Sequence, residues 1–199
     1  GQRTTLSGTV TLDNVKVPKT HLVPGWKGYA EPTADGAIFQ IIQAGVDLGI
    51  ARAAIKDTIE FVKTRSRAWV DSGLDRASDD PYTIQAIGDL VLRANATEAV
   101  LDLAGLAVDA AVANPTAETV AHAQIKTAEA EVLSTEIAIQ ATNKLFELAG
   151  TRATLAEHNL DRHWRNARTH TLHDPVRWKY AILGNYYLND VKPPLHAWS

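Results

Sequence analysis

From about Ala34 to Gly150 the apolar residues recur with the period of an α-helix, and only two breaks interrupt them. Asp80-Pro81 supplies an N-cap followed by a proline at the first helical position, and Asn114-Pro115-Thr116 ends one helix and caps the next. Three long helices are therefore predicted. In the first, Ile38, Ile41, Ile42, Gly45, Leu48, Gly49, Arg52, Ile55, Ile59 and Val62 share one stripe. Continued to about Val70, it is a helix of roughly 35 residues, on the order of 50 Å long. Gly45 and Gly49, four apart, weaken a helix unless a neighbouring helix approaches closely there. The second carries Ile84, Ile87, Val91, Ala94, Leu101 and Val108. The third presents an alanine-rich face through Val120, Ala123, Ala130, Ala138 and Leu145, and stops at Gly150. An irregular segment follows, then a shorter helix from Pro175 to about Leu188.

These elements predict a mainly α fold, an antiparallel four-helix bundle over residues 31–199. The helices are longer than one small bundle core requires, so their outer faces are expected to meet other subunits. Residues 1–30 differ in kind. Thr5 to Val17 alternates at Val10 and Leu12 and again at Val15 and Val17, which reads as one or two strands; Pro18, Pro24, Gly25, Gly28 and Pro32 then break regular structure. This segment is read as the trailing strands of a truncated β-domain. Methionine is absent throughout, position 1 included, so the chain is expected to be a piece of a longer protein.

Composition narrows the function classes. A net charge of −3 argues against a general nucleic-acid binder. No segment approaches 18 uninterrupted apolar residues, so no membrane span is expected, and no secretory signal pattern is visible. The absence of cysteine excludes disulfides, thiol nucleophiles and cysteine metal sites, and fits a reducing, cytoplasmic setting.

Chemistry concentrates between Leu160 and Tyr180, where His163, His170 and His173 stand among arginines and two tryptophans. Asp174 before Pro175 reads as an N-cap, which sets His173 at the mouth of a helix N-terminus, where the partial positive charge favours a neutral imidazole able to accept a proton. The plainer alternative is that Asp174 only caps and both histidines bond backbone. Arg152, Arg162, Arg165, Arg168, Arg177 and Lys179 outnumber Glu157, Asp161 and Asp174 over residues 151–179, as suits a phosphate site or, equally, a salt-bridged surface. Lys63, Arg65, Arg67 and Trp69 form a second basic cluster at the end of the first helix. His170-x-x-His173 has a metal-like spacing, but the Glu-x-x-His pairs of bundle di-iron sites are missing, and no metal site is assigned.

Two stretches carry a family resemblance. Gly1 to Val10, followed by Asp13-Asn14-Val15-Lys16-Val17-Pro18, resembles the last strands of the middle domain in the acyl-CoA dehydrogenase superfamily. The string Arg168-Thr169-His170-Thr171-Leu172-His173-Asp174-Pro175, within Trp164 to Pro175, is similar to the flavin-dependent monooxygenase branch of that superfamily, close to the dibenzothiophene monooxygenases and sulfur-acquisition oxidoreductases.

The resemblance implies the C-terminal part of a three-domain subunit, a homotetramer centred on this bundle, and flavin held between subunits. By that analogy Arg65 and Arg152, and more weakly Arg67, contact the cofactor across the interface. His173 and His170 line the flavin pocket, where a neutral histidine suits the acid–base work of oxygenation. The implied partners are reduced FMN, a separate flavin reductase that delivers it, and a small organic substrate, plausibly organosulfur.

The superfamily's dehydrogenases carry a Tyr-Glu-Gly string with a catalytic glutamate where this chain has Leu172 to Pro175. Their Leu-Gly-Gly turn is here Leu148-Ala149-Gly150-Thr151-Arg152. These departures argue against acyl-CoA dehydrogenation with FAD, in which Asp174 would be the base. An inactive helical assembly module is the remaining alternative.

Overall fold

The computed structural model describes residues 1–198, and among them the long regular elements are all helices. They are α1 (Asp35–Thr64), α2 (Pro81–Ala113), α3 (Ala117–Ala149), α4 (Asp161–His170) and α5 (Arg177–Asn189), joined by short 3-10 turns.

Local chemistry sets most of the boundaries. Asp80 accepts a hydrogen bond from the Tyr82 N–H (3.0 Å) with Pro81 at the first helical position, which starts α2 as predicted. Thr116 and Thr119 satisfy each other's backbone N–H groups in a reciprocal capping box, so α3 starts after a three-residue turn and doubles back along α2. Gly150 ends α3 at φ +76°, ψ −173°, a region essentially closed to residues with a Cβ.

Cross-contacts give the directions. Asp47 meets Thr135 and Ser66 meets Ala149, so α1 and α3 run the same way. The Arg52–Glu98 ion pair, and Ala37 packing with Ala111, set α2 opposite to α1. Next, α4 runs back along α1, from Asp57 beside His163 to Asp47 beside His170. Then α5 continues antiparallel to α3, with Tyr180 on Glu136 and Tyr187 on Glu129. The C-terminal tail folds over the same end through Gln40 to the Ala197 carbonyl (3.2 Å) and the Lys192–Glu118 ion pair.

The core explains why the predicted stripe of α1 is rotated. Ala44, Ala104 and Ala130, one from each long helix, are fully buried against one another, since only small side chains let three backbones come that close. The buried side of α1 is Ala37, Gln40, Ala44, Asp47, Leu48, Ala51, Ala54 and Ile55, leading to Phe61, while Phe39, Ile42 and Val46 face outward. A Cβ at Gly45 or Gly49 would meet nothing within 4 Å, so the close helix approach expected there does not occur within the chain.

Three further expectations are corrected. The first helix ends at Thr64 instead of Val70, because Arg65 leaves helical geometry (φ −134°) and the Ser66 hydroxyl turns to the Ala149 carbonyl at the end of α3 (3.3 Å). The supposedly irregular segment holds α4. Among the described residues there is no strand at 5–17: Leu6, Val10, Leu12, Val15 and Val17 are exposed, and extended backbone with no partner strand forms no ladder. By length and composition α1 alone among the described residues could cross a membrane, with mean hydropathy 1.4 over its most apolar window, but its buried side packs against α2 and α3 as a core helix does.

Candidate functional site

Two groups of side chains carry charge in an arrangement that packing alone does not explain. The first is built where α1 and α3 end together. Breaking α1 at Thr64 and turning α3 at Gly150 brings Arg65, Arg67 and Arg152 to the wall of one cavity of 1120 Å³, with Trp69 and Tyr82 as aromatic wall. A second cavity of 950 Å³ shares the same three arginines and adds His158. The Arg65 guanidinium lies 5.9 Å over the Phe61 ring, a cation–π contact, and Arg152 reaches the Arg65 carbonyl at 3.5 Å.

Among the described residues none of these three arginines has a carboxylate at ion-pair distance, whereas Arg162 pairs with Asp57 (2.5 Å) and Arg165 with Asp161 (3.3 Å). The acids around the larger cavity are already engaged: Asp89 with Arg93, Glu147 with Lys144, and Asp80 with its helix N-terminus. Three uncompensated guanidinium groups around an open cavity suit an anionic ligand. Of the basic residues in 151–179, Arg162, Arg165 and Lys179 are thus in ion pairs, whereas Arg152, like Arg65 and Arg67, has no carboxylate partner among the described residues.

The second group surrounds the α4–α5 turn. His170 closes α4 with Nδ1 2.8 Å from Asp47 Oδ1, and its side chain is only 14 % exposed. His163, two helical turns earlier, holds Asp57 Oδ2 at 2.8 Å. Burial pulls the Asp57 carboxyl upward, but hydrogen bonds from His163 and Arg162 outweigh it and hold that group below the ordinary carboxylate range. His173 stands in the turn with its side chain 47 % exposed and Nδ1 3.3 Å from Asp174 Oδ1.

Asp174 is not the predicted N-cap. Helix α5 starts two residues later, with Val176 at the cap position and no side-chain cap. The Asp174 carboxylate is instead 8 % exposed and faces the Lys179 ammonium (3.8 Å), because α5 turns Lys179 inward. Lys179 also lies 3.2 Å from Glu131 Oε2, and burial pushes the Glu131 carboxyl up to about 7 despite that cation.

The structure therefore brings the three arginines together, and separately the two histidines with Asp174. It does not bring the two groups together. Asp47, beside His170, and Arg65 are 18 positions apart along α1, on the order of 27 Å. Among the described residues no cluster of three or more histidines and acids is placed to hold a metal ion. Sequence reasoning passed over Asp47, Asp57 and Glu131. The available signal was an acid at a helical position whose neighbours are small and apolar, as Asp47 is between Ala44 and Leu48 and Glu131 beside Ala130.

Comparison with known proteins gives a consistent picture. The model of the acyl-CoA dehydrogenase C-terminal domain matches residues 41–178. A dibenzothiophene monooxygenase of Mycolicibacterium goodii is 33 % identical over 97 % of this chain and 49 % of the relative. A probable FMNH2-dependent monooxygenase, SfnC, of Pseudomonas putida is 33 % identical over 97 % of this chain and 50 % of its own length. Among solved structures, TdsC of Paenibacillus sp. A11-2, in complex with FMN and indole, superposes with a TM-score of 0.83 at 31 % identity, covering 89 % of this chain and 46 % of that one. The chain spans about half the length of the curated relatives it matches.

Proposed function

We propose that this chain, which belongs to the acyl-CoA dehydrogenase C-terminal domain family, is the C-terminal part of a reduced-flavin-dependent monooxygenase. The observation that carries the proposal is the cradle of Arg65, Arg67 and Arg152, unpaired around one cavity, which suits the phosphate of a flavin nucleotide in charge. FMN is the proposed cofactor, supported by the FMN in the TdsC complex and by the FMNH2 dependence in the name of SfnC; FAD is the alternative. A flavin reductase supplies it, in a cytoplasmic setting.

Bound reduced flavin would supply two electrons to oxygen, so that one oxygen atom enters a small organic substrate and the other leaves as water with two protons. The chain's own residues would manage charge and protons. His173, half exposed, is the group placed to give or take a proton, and His170, tied inward to Asp47, is its support. Asp174 supports His173 in the same way, because a carboxylate sealed against Lys179 is poorly placed to remove a substrate proton. That position counts against an acyl-CoA dehydrogenase.

The architecture is read as the bundle of this family, with α4 and α5 in succession forming its fourth column. Residues 1–30, whose aliphatic side chains are exposed, are read as the edge of a neighbouring β-domain. The distance between arginines and histidines supports a site assembled from two subunits, one giving the cradle and the other the histidines. Phe39, Ile42 and Val46 on α1, and Leu92, Leu103 and Leu106 on α2, supply exposed apolar faces for a homotetramer.

The test uses the full-length protein with reduced FMN, oxygen and an aromatic organosulfur substrate. The expected result is the singly oxygenated product, lost in His173→Ala. Anaerobic bleaching of bound flavin by an acyl-CoA, with no oxygenated product, would overturn the proposal.

A further inference from the structure

Lys179 is 3 % exposed on a helix that has solvent-facing positions to spare. Burying an ammonium is costly unless it is paired, and an apolar side chain of similar length would fill the space at less cost. Its surroundings are unusually acidic. Glu131 Oε2 from α3 lies 3.2 Å away and Asp174 Oδ2 from the turn 3.8 Å, and Asp47 from α1 belongs to the same electrostatic cluster. The ammonium also donates to Gln40 Oε1 (3.2 Å) and to the Trp198 carbonyl (2.8 Å).

Asp174 splits its carboxylate between two bases. Oδ2 is sealed from solvent with no hydrogen bond of its own and faces Lys179, while Oδ1 lies 3.3 Å from Nδ1 of His173. The other end of the turn is fastened by His170 to Asp47 (2.8 Å), and the His173 N–H donates to the His170 carbonyl (2.9 Å). The backbone of His173 is thus fastened through His170, its Nδ1 lies beside Asp174, and the charge facing Asp174 from inside the protein is Lys179.

We propose that Lys179 is a positioning residue for His173. Its ammonium holds the inner oxygen of Asp174, so the outer oxygen accepts the Nδ1–H of His173 and Nε2 is the atom presented to a ligand. The inference rests on the reading of His173 as a site residue and adds the device that selects its tautomer.

Ring-15N solid-state spectra of histidine-labelled, flavin-free full-length protein test it at about pH 8, where histidine is neutral. The His173 signal is identified by its loss in His173→Gln. In the unsubstituted protein the proton is expected on Nδ1. Lys179→Met should shift it predominantly to Nε2, the form favoured by free histidine. It should also lower kcat about 10-fold while changing the KM for reduced flavin by less than about 2-fold.

Because Lys179→Met strands two buried carboxylates, the double variant Glu131→Gln/Lys179→Met, which removes a charge of each sign, is read beside it. A shifted His173 tautomer in the folded double variant supports the proposal. An unshifted tautomer in the folded double variant overturns it, even if the tail around Trp198 has moved. The tautomer is read without flavin or turnover, so it stands apart from the monooxygenase reading, which fails on its own if His173→Ala keeps full activity.

Discussion

His170 Nδ1 sits 2.8 Å from Asp47 Oδ1, joining the last residue of α4 to the middle of α1 across a buried interface. The second Asp47 oxygen accepts from the Thr135 hydroxyl of α3 at 3.4 Å, so one carboxylate ties three helices. Removing it strands the imidazole edge and the hydroxyl in a closed space. Asp47→Ala is expected to lower unfolding free energy by about 3 kcal/mol. Urea unfolding with an unchanged slope checks this, and an unmoved midpoint would contradict it.

Where Ala44, Ala104 and Ala130 meet, no volume is spare. Ala44→Leu must push two helices apart, at a cost of about 3 kcal/mol. Ala53→Leu, an exposed position on the same helix, is the control and should stay within about 0.5 kcal/mol of the parent.

Glu131 gives a pH signature. Burial raises its carboxyl to about 7, against an ordinary 4.5, so between those values the native state keeps a proton that the unfolded chain releases. The native state then binds more protons, and stability falls as pH rises through that window, by something on the order of 3 kcal/mol. Glu131→Gln cannot titrate and should flatten this slope. Unfolding free energies of both proteins between pH 4.5 and pH 8 test it. An unchanged difference between the two proteins across that range would sink the idea.

Gly45 tests the proposed assembly. A side chain there meets nothing within 4 Å in the single chain, so Gly45→Leu should leave the fold intact. If another subunit covers the stripe beside Ile42 and Val46, the same change should break the homotetramer. Light scattering on the full-length protein should then give a lower mass with an unchanged helical circular dichroism spectrum. An unchanged mass would place the interface elsewhere.

The boundaries of α2 and α3 were legible because Asp80-Pro81, Thr116 and Gly150 act within one turn of their own backbone. The inward face of α1 was not, since the stripe of isoleucines outweighs alanines in any hydrophobic count, although three-helix contact selects the alanines. Helix α4 hid because its buried side chains are only His163 and Ala167, and its interior bonds are made to Asp57 and Asp47, which are distant in sequence. Asp174-Pro175 imitates a cap, and only the tertiary pull of Lys179 reveals that the carboxylate points elsewhere. The arginine candidates named from the resemblance, Arg65, Arg67 and Arg152, do line one cavity, but their lack of acidic partners is a property of the folded chain.

The Arg65–Arg152 cradle is tested most directly by titrating FMN and riboflavin into the full-length protein and into Arg65→Ala/Arg152→Ala, since riboflavin differs only by the phosphate. The unsubstituted protein should prefer FMN by about 100-fold, as two charge-assisted contacts allow, and the double variant, left with Arg67 alone, should lose most of that preference with riboflavin affinity unchanged. A double variant that keeps the full preference for FMN would contradict the cradle.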